Sequence, residues 1–411
     1  MVGMTADLPI LLDVSRLVSR IGTGPLTGID RVEAAWLDQL SRRDHLLLCR
    51  VGRGQLLLPP TAGAAILKWI AGDMRGLPVR PGWRERLAGR TDAPARAMTA
   101  LRDMALASFR PGGKGIAPVV QDQLGTNAVY LNVGHTNLDR ALLASLKPLR
   151  PTVMIHDTIP LDHPEYTRAG QTEKFRTRFM TVLLLAHRII AISDATAAQI
   201  DLWRRRLAVT RHVPVTTVHI GTVLTPADRD SVPRDLDLSR PFFLTLGTIE
   251  PRKNHALLLD AWDLMSARLP AAEIPQLFII GRRGWNNAEV FARLDRLPQD
   301  GPVRELPGLP DAAVAALMAR THALLMPSRA EGFGLPLTEA AGRGVPVLSA
   351  PLPAAREILG DRAIYLSPDA PEDWVRTITE LVAKPPIRMT RLDFPEWVSH
   401  FAQMELVLRS A

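Results

Sequence analysis

The sequence predicts an α/β protein of two parallel-sheet domains. Three observations predict it. Short apolar runs recur along the chain, each followed by a turn and then a segment with helical spacing, the alternation that builds parallel sheets. A polar, proline-containing stretch at 222–241 divides the 411 residues into two halves, and that length favours two domains over one. The loops richest in Gly, His and charged residues follow the apolar runs, at the carboxyl ends of strands, where open α/β sheets bind ligands.

In the first half, residues 8–14 read as the opening strand. A loop at 15–29 carries Gly22, Gly24 and Gly28, and a helix is expected over 30–40. The glycine spacing is not G-x-G-x-x-G and no G-K-[ST] follows, so neither a dinucleotide site nor a phosphate loop of the ATPase kind is supported; a plain flexible turn remains an alternative. Residues 46–51 and 55–58 are candidate strands. The rest of the stretch to 125 is poorly patterned. Trp69 and Trp83 stand there among Lys68, Arg75, Arg80, Arg84 and Arg86, which suits either a membrane-surface or acceptor face or ordinary half-buried surface. Strands follow at 129–133, ending in Gly134-His135, and at 152–155, ending in His156-Asp157. A histidine at such a tip lies in the ligand crevice. Residues 179–186 have helical apolar spacing, 188–192 are a strand, Ser193 caps a helix reaching Arg206, and 215–220 close the half.

The second half opens with a strand at 242–246, then Gly247-Thr-Ile-Glu-Pro-Arg252-Lys253-Asn254 and a helix from His255. Two adjacent cations before a helix N-terminus make a diphosphate clamp, the Arg by its fork and the Lys as a point charge. The strand at 277–280 ends in Gly281-Arg-Arg-Gly284, within reach of a nucleotide. Residues 304–308 precede a helix expected from Asp311. A strand at 323–327, a glycine loop, a helix opened by Pro336 and a strand at 345–348 then form a parallel βαβ unit. Glu331 and Glu339 flank that loop. A carboxylate can accept two hydrogen bonds from a diol, and helix N-terminal amides favour phosphate, so the ligand expected carries both sugar and phosphate. Solvated acids at a helix start are the alternative.

The stretch Glu331-Gly-Phe-Gly-Leu-Pro-Leu-Thr-Glu339 resembles the glutamate pair of retaining GT-B glycosyltransferases of family 4, and the Gly247–Asn254 motif is similar to the same family. The resemblance covers most of the chain and is strongest from about 241 to 361. It implies a GT-B fold of two Rossmann-like domains: 1–222 on the acceptor side, a linker at 223–240, a nucleotide-sugar domain at 241–392, and a final helix at 393–411 packing back on the first. It implies that Glu331 contacts the donor hexose, Glu339 the ribose, and the amides of Phe333, Gly334 and Leu335 the hexose and diphosphate. It further implies that Gly24 and Gly28 face donor and acceptor, that His156 and Asp157 lie beside the sugar, and that Gly247, Gly281, Arg252 and Lys253 line the nucleotide site. The catalytic set expected is His156, Arg252, Lys253 and Glu331.

The expected function is hexose transfer with retention from a nucleoside diphosphate sugar, which is a substrate; no cofactor is implied. The H-D-T-I-P and T-G-I-D-R-V stretches resemble mannosyltransferase-like members and favour GDP-mannose. The acceptor expected is a glycan or lipid-linked glycan in surface polysaccharide synthesis. No metal is expected: the D-x-D pairs Asp228/Asp230 and Asp235/Asp237 fall in the linker rather than at a strand tip. A GT-B phosphorylase or epimerase, and a non-catalytic nucleotide-sugar-binding partner, are the rival readings.

Bulk properties bound the partners. The apolar fraction of 46% allows a large core. The single cysteine, Cys49, fits a reducing cytoplasm. No segment reaches the ~18 apolar residues of a membrane span, and the N-terminus lacks a basic leader. The net charge of +8 is uneven: residues 1–206 carry +10 and residues 207–411 carry −2. Anionic lipid at the inner membrane face, a phosphate-bearing acceptor, or an arginine-rich solvated surface all suit that excess; nucleic acid is not the partner expected.

Overall fold

A computed structural model describes residues 8–87 and 89–410; residues 1–7, where the leader reading begins, lie outside the described residues. The first half forms an eight-stranded sheet from β1 (Ile10–Asp13), β2 (His45–Val51), β3 (Gly54–Leu58), β4 (Ala107–Phe109), β5 (Val129–Asn132), β6 (Thr152–Ile155), β7 (Arg188–Ala191) and β8 (Val215–Thr217). Their order in space is β4-β3-β2-β1-β5-β6-β7-β8. All pairs are parallel except β2·β3 and β3·β4. The second half forms a six-stranded sheet from β9 (Phe242–Leu246), β10 (Gln276–Ile280), β11 (Val303–Leu306), β12 (Leu324–Met326), β13 (Val347–Ser349) and β14 (Ile364–Tyr365), ordered β11-β10-β9-β12-β13-β14. Each sheet grows outward from its first strand in both directions. The two switch points, between β1 and β5 and between β9 and β12, are where such sheets open a crevice.

The strands read as continuous apolar runs because both faces are covered. Ile10 and Leu12 pack with Trp36 and Leu131 on one face of the first sheet, and Leu11 with Tyr130 on the other. Phe243, Leu277 and Trp262 fill one face of the second sheet, and Leu244, Phe278 and Leu337 the opposite one. The Trp397–Arg409 helix returns to the first sheet: Met404 and Leu408 join its core, and Phe401 meets Trp36 edge-on at 5.0 Å.

Several expectations need correction. The 15–29 loop holds a short helix, Ser15–Ser19, and the next helix starts at Gly28, fixed by a capping box between Thr27 and Asp30. The poorly patterned stretch contains the helices Pro60–Ile70, Ala93–Met104 and Ile116–Leu124. Trp69 is core, its indole N–H donating to the Arg75 carbonyl at 3.1 Å, whereas Trp83 is exposed with the Arg84 guanidinium over its ring. The two tryptophans therefore share no face. No helix among the described residues is long and apolar enough to cross a membrane.

Candidate active site

At the second switch point, β9 runs into Gly247 and then a 3₁₀ turn, Pro251–Lys253. Asn254 follows in the left-handed region, φ 55°, and its amide donates to the carbonyls of Pro327 (3.2 Å) and Pro368 (2.8 Å). That pins the turn against the loop after β12. The Arg252 guanidinium then reaches Glu250 Oε1 (2.7 Å), Glu331 Oε2 (2.9 Å) and the Ala330 carbonyl (2.9 Å), while Lys253 Nζ sits 2.5 Å from Glu331 Oε1. The Glu331 side chain is 8% exposed. The expected clamp cations are thus already paired with two carboxylates in this arrangement.

Partners decide the charges here. Burial alone would raise the Glu331 carboxyl, but Lys253 and Arg252 outweigh it and bring it down to about 2. Burial pushes Glu250 up against the pull of Arg252 and Lys253, and its Oε2 has no partner among the described residues. Burial lowers Lys253 although Glu331 opposes it. Burial works against the Arg252 charge too, yet Glu331, Glu250 and Asp157 hold it above the usual arginine range.

The first domain supplies the opposite wall. His156, at the tip of β6, donates from Nε2 to the Val133 carbonyl at 2.7 Å, so Nδ1 is the ring's acceptor. Burial lowers its pKa to about 4 and keeps the ring neutral. Its backbone N–H donates to His135 Nε2 at 3.0 Å. Asp157 accepts from the Ile159 N–H at 3.1 Å; burial raises it and Arg252 draws it back. The walls meet at Gly332. A Cβ there would lie 2.0 Å from the His156 carbonyl oxygen, so only glycine permits the approach. The Gly332 carbonyl accepts from Ser193 Oγ at 2.7 Å.

Beyond Gly332 the chain turns into the Leu335–Gly342 helix through Gly334, φ 94°. The N–H groups of Phe333, Gly334 and Leu335 find no acceptor among the described residues. Glu339, raised by burial against the pull of Arg31, meets Arg31 Nη1 at 3.3 Å, and Arg31 Nη2 reaches Asp311 at 2.8 Å. Arg31 belongs to the Gly28–Leu40 helix, so this contact spans the two domains. Gly28 faces Leu335, and Gly24 abuts the Arg282 guanidinium, which also bonds the Thr23 carbonyl at 2.5 Å. Gly281 lies against the Gly247 carbonyl beneath the cluster. The structure thus gathers Arg252, Lys253, Glu331, His156 and Asp157 in one place, with Glu339, Gly24 and Gly28 along the cleft. The linker acids are tied locally: Asp235 to Arg304 at 2.6 Å, and Asp237 to Ser239 at 2.5 Å.

Sequence reasoning missed two members. Glu250 stands inside the quoted motif, and a carboxylate two positions before a cation pair was the available signal. His135 was noted only as a strand end; its bond to His156 joins β5 to β6 and has no local signature.

Residues 227–393 match the family model described as glycosyl transferases group 1. The match falls on the second domain. A serotype-specific mannosyltransferase, WbdA of Escherichia coli, is 32% identical over 245 residues, 56% of this chain and 29% of the relative. O-antigen chain mannosyltransferase B of Escherichia coli is 35% identical over 31% of this chain and 33% of its own length. The matched stretches therefore span about a third of these curated relatives. Among solved structures, Anabaena HepE in complex with UDP and glucose aligns over 98% of this chain and all of its own, with TM-score 0.63 and 17% identity. A sucrose-phosphate synthase from Thermosynechococcus elongatus aligns at TM-score 0.56 and 15% identity over 98% of both chains. These likenesses show the fold, which is GT-B, with the region matched by the family model in its second Rossmann-like half.

Proposed function

We propose that the chain is a retaining, metal-independent glycosyltransferase. It moves a hexose, mannose from GDP-mannose being the favoured donor, to a glycan or lipid-linked glycan in surface polysaccharide synthesis at the cytoplasmic side. The observation that carries the reading is the Arg252–Lys253–Glu331 cluster, closed against His156 and Asp157 at the switch point of the group 1 domain. The names of the mannosyltransferase relatives support the sugar.

The chain's own groups supply the chemistry. Glu331, ionised because its pKa is about 2, accepts hydroxyls of the hexose, and His156 Nδ1 offers a neutral acceptor beside it. The diphosphate meets the free amides of Phe333, Gly334 and Leu335 and draws Arg252 and Lys253 partly from their carboxylates. As the glycosidic bond breaks, the two cations stabilise charge growing on the leaving diphosphate. The acceptor enters from the leaving-group face, and a donor phosphate oxygen takes its proton. Glu339 receives the ribose in place of Arg31.

A panel of nucleoside diphosphate sugars tests this by thermal stabilisation of the full chain, followed by proton NMR of the product's anomeric centre. GDP-mannose should stabilise most, and the product should keep the donor's anomeric configuration. Stabilisation by no nucleotide sugar, or inversion, overturns the proposal.

A further inference from the structure

A second feature lies outside the donor cluster. Between the start of the Gln171–Leu185 helix and the segment after β5 runs an open groove of ≈ 640 Å³. Arg50, at the end of β2, and Arg178 face it, with Arg140 and Lys174 at its sides. Leu138, Met180 and Leu184 form an apolar wall. This protein pairs its arginines freely, as at Arg283, Arg293 and Arg204. Yet Arg50, Arg140, Lys174 and Arg178 form no ion pair among the described residues. The groove's acids do not reach them: Asp139 caps a helix by accepting from the Leu142 N–H, and Glu173 approaches Arg176 at 3.9 Å. Arg178 is partly buried, and both that burial and the Arg50 charge lower its pKa. Two cations are thus held near each other with no protein anion between them.

The groove has a direction. Arg178 and Leu138 also line the small cleft beneath, which ends at His135 and Phe175. His135 bonds the backbone of His156 and stacks edge-on with its ring at 5.1 Å. The inner end of the groove therefore adjoins the sugar side of the donor cluster, at the carboxyl edge of the first sheet.

We propose that this groove binds a phosphate group of the acceptor between Arg50 and Arg178, with the remainder of the acceptor running toward His135. Guanidinium forks match phosphate oxygens in pairs, and water-exposed lysine and arginine at the sides add attraction without fixing geometry. That the ligand is the acceptor rests on the transferase reading; that the groove holds phosphate does not. The apolar wall also suits a phosphate carried on a hydrocarbon chain, so phosphosugar and lipid phosphate are the two sources to separate.

Calorimetry on the full chain tests it with three probes: inorganic phosphate, mannose 1-phosphate and decyl phosphate. Wild type should bind, and Arg50→Gln or Arg178→Gln should weaken binding about tenfold or more, since hydrogen bonds to charged groups dominate such contacts. The titrations are run with excess nucleoside diphosphate filling the donor cluster, and wild type should still bind these probes. Arg50 is exposed, so its variant should keep the wild-type melting temperature. Tighter binding of decyl phosphate than of mannose 1-phosphate assigns the lipid source; equal or weaker binding assigns the phosphosugar. Binding that is unchanged in both arginine variants, or abolished in wild type by the nucleoside diphosphate, overturns the proposal and leaves the donor-site reading untouched.

Discussion

Both switch points bury a carboxylate, and the two behave in opposite ways. In the second domain Glu331 sits between Lys253 and Arg252, which bring its pKa to about 2. In the first domain Asp13, at the tip of β1, has only neutral donors: Asn137 Nδ2 at 2.7 Å, Tyr130 Oη at 3.0 Å and the Ser15 N–H at 3.0 Å. Burial wins there and raises Asp13 to about 6. Burial also raises Glu33 nearby, well above the ordinary glutamate value, and one of its oxygens has no partner among the described residues. The nearest paired acid, Asp30, takes Arg16 and Arg20 for itself. Two largely buried carboxylates thus give one charged site and one hydrogen-bonded network. The partner, not the depth, decides which carboxylate can serve chemistry.

The sharpest way to break this comparison is to remove the cations. Arg252→Ala or Lys253→Ala should lower kcat/KM for sugar transfer by about two to three orders of magnitude, the range for losing one group that stabilises transition-state charge. Asp13→Asn should leave kcat/KM within about tenfold, since uncharged groups already hold that site. Steady-state kinetics with purified variants measures both. Wild-type rates in the cation variants would remove the second site's claim to chemistry.

A smaller effect divides the two glutamates of the βαβ loop. Glu331→Gln removes charge-assisted bonds of roughly 1.5–3 kcal/mol each and should act on kcat, if they tighten as the hexose gains positive character. Glu339→Gln should weaken nucleoside diphosphate binding while leaving kcat at saturation nearly intact. Calorimetry with the nucleoside diphosphate alone reads the difference. Loss of binding in the Glu331 variant, with none in the Glu339 variant, would exchange their roles.

Stability against pH should show the same opposition. Asp13 binds its proton more tightly folded than unfolded, so stability falls as pH rises from about 4 to about 6, by on the order of 3 kcal/mol. Glu331 has the lowered value, so its contribution is present above about 4.5 and is lost as pH falls toward 2. Urea titrations between pH 4 and 6 should therefore have a flatter slope in Asp13→Asn than in wild type. An unchanged slope would mean that the network at β1 is not what titrates. The smallest expected effect is none: transfer should survive EDTA, and restoration by Mg²⁺ or Mn²⁺ after a loss would return attention to Asp228, Asp230, Asp235 and Asp237.

Most of the second domain was legible because its chemistry is local. Arg252, Lys253 and Asn254 are consecutive, and the Glu331 loop opens its own helix, so short motifs and the family resemblance they carry singled them out. The first domain's strands were legible for the same reason, through runs such as Thr152–Ile155. The helices between Pro60 and Leu124 were not, because small residues such as Ala62, Gly63, Ala95 and Ala97 fill their buried faces and give a weak periodic signal. Pairings across the fold were hidden altogether. Arg31 meets Glu339, and Arg282 meets Thr23, over separations that no window in the sequence spans.

The Gly332 contact carries a mechanical consequence. The His156 carbonyl already occupies the place a methyl group would take, 2.0 Å from where that carbon would sit. The two halves are therefore seated on a hard stop at Gly332. Any side chain at 332 would act as a wedge between the two walls, so the closeness of this seam is set by one missing methyl group.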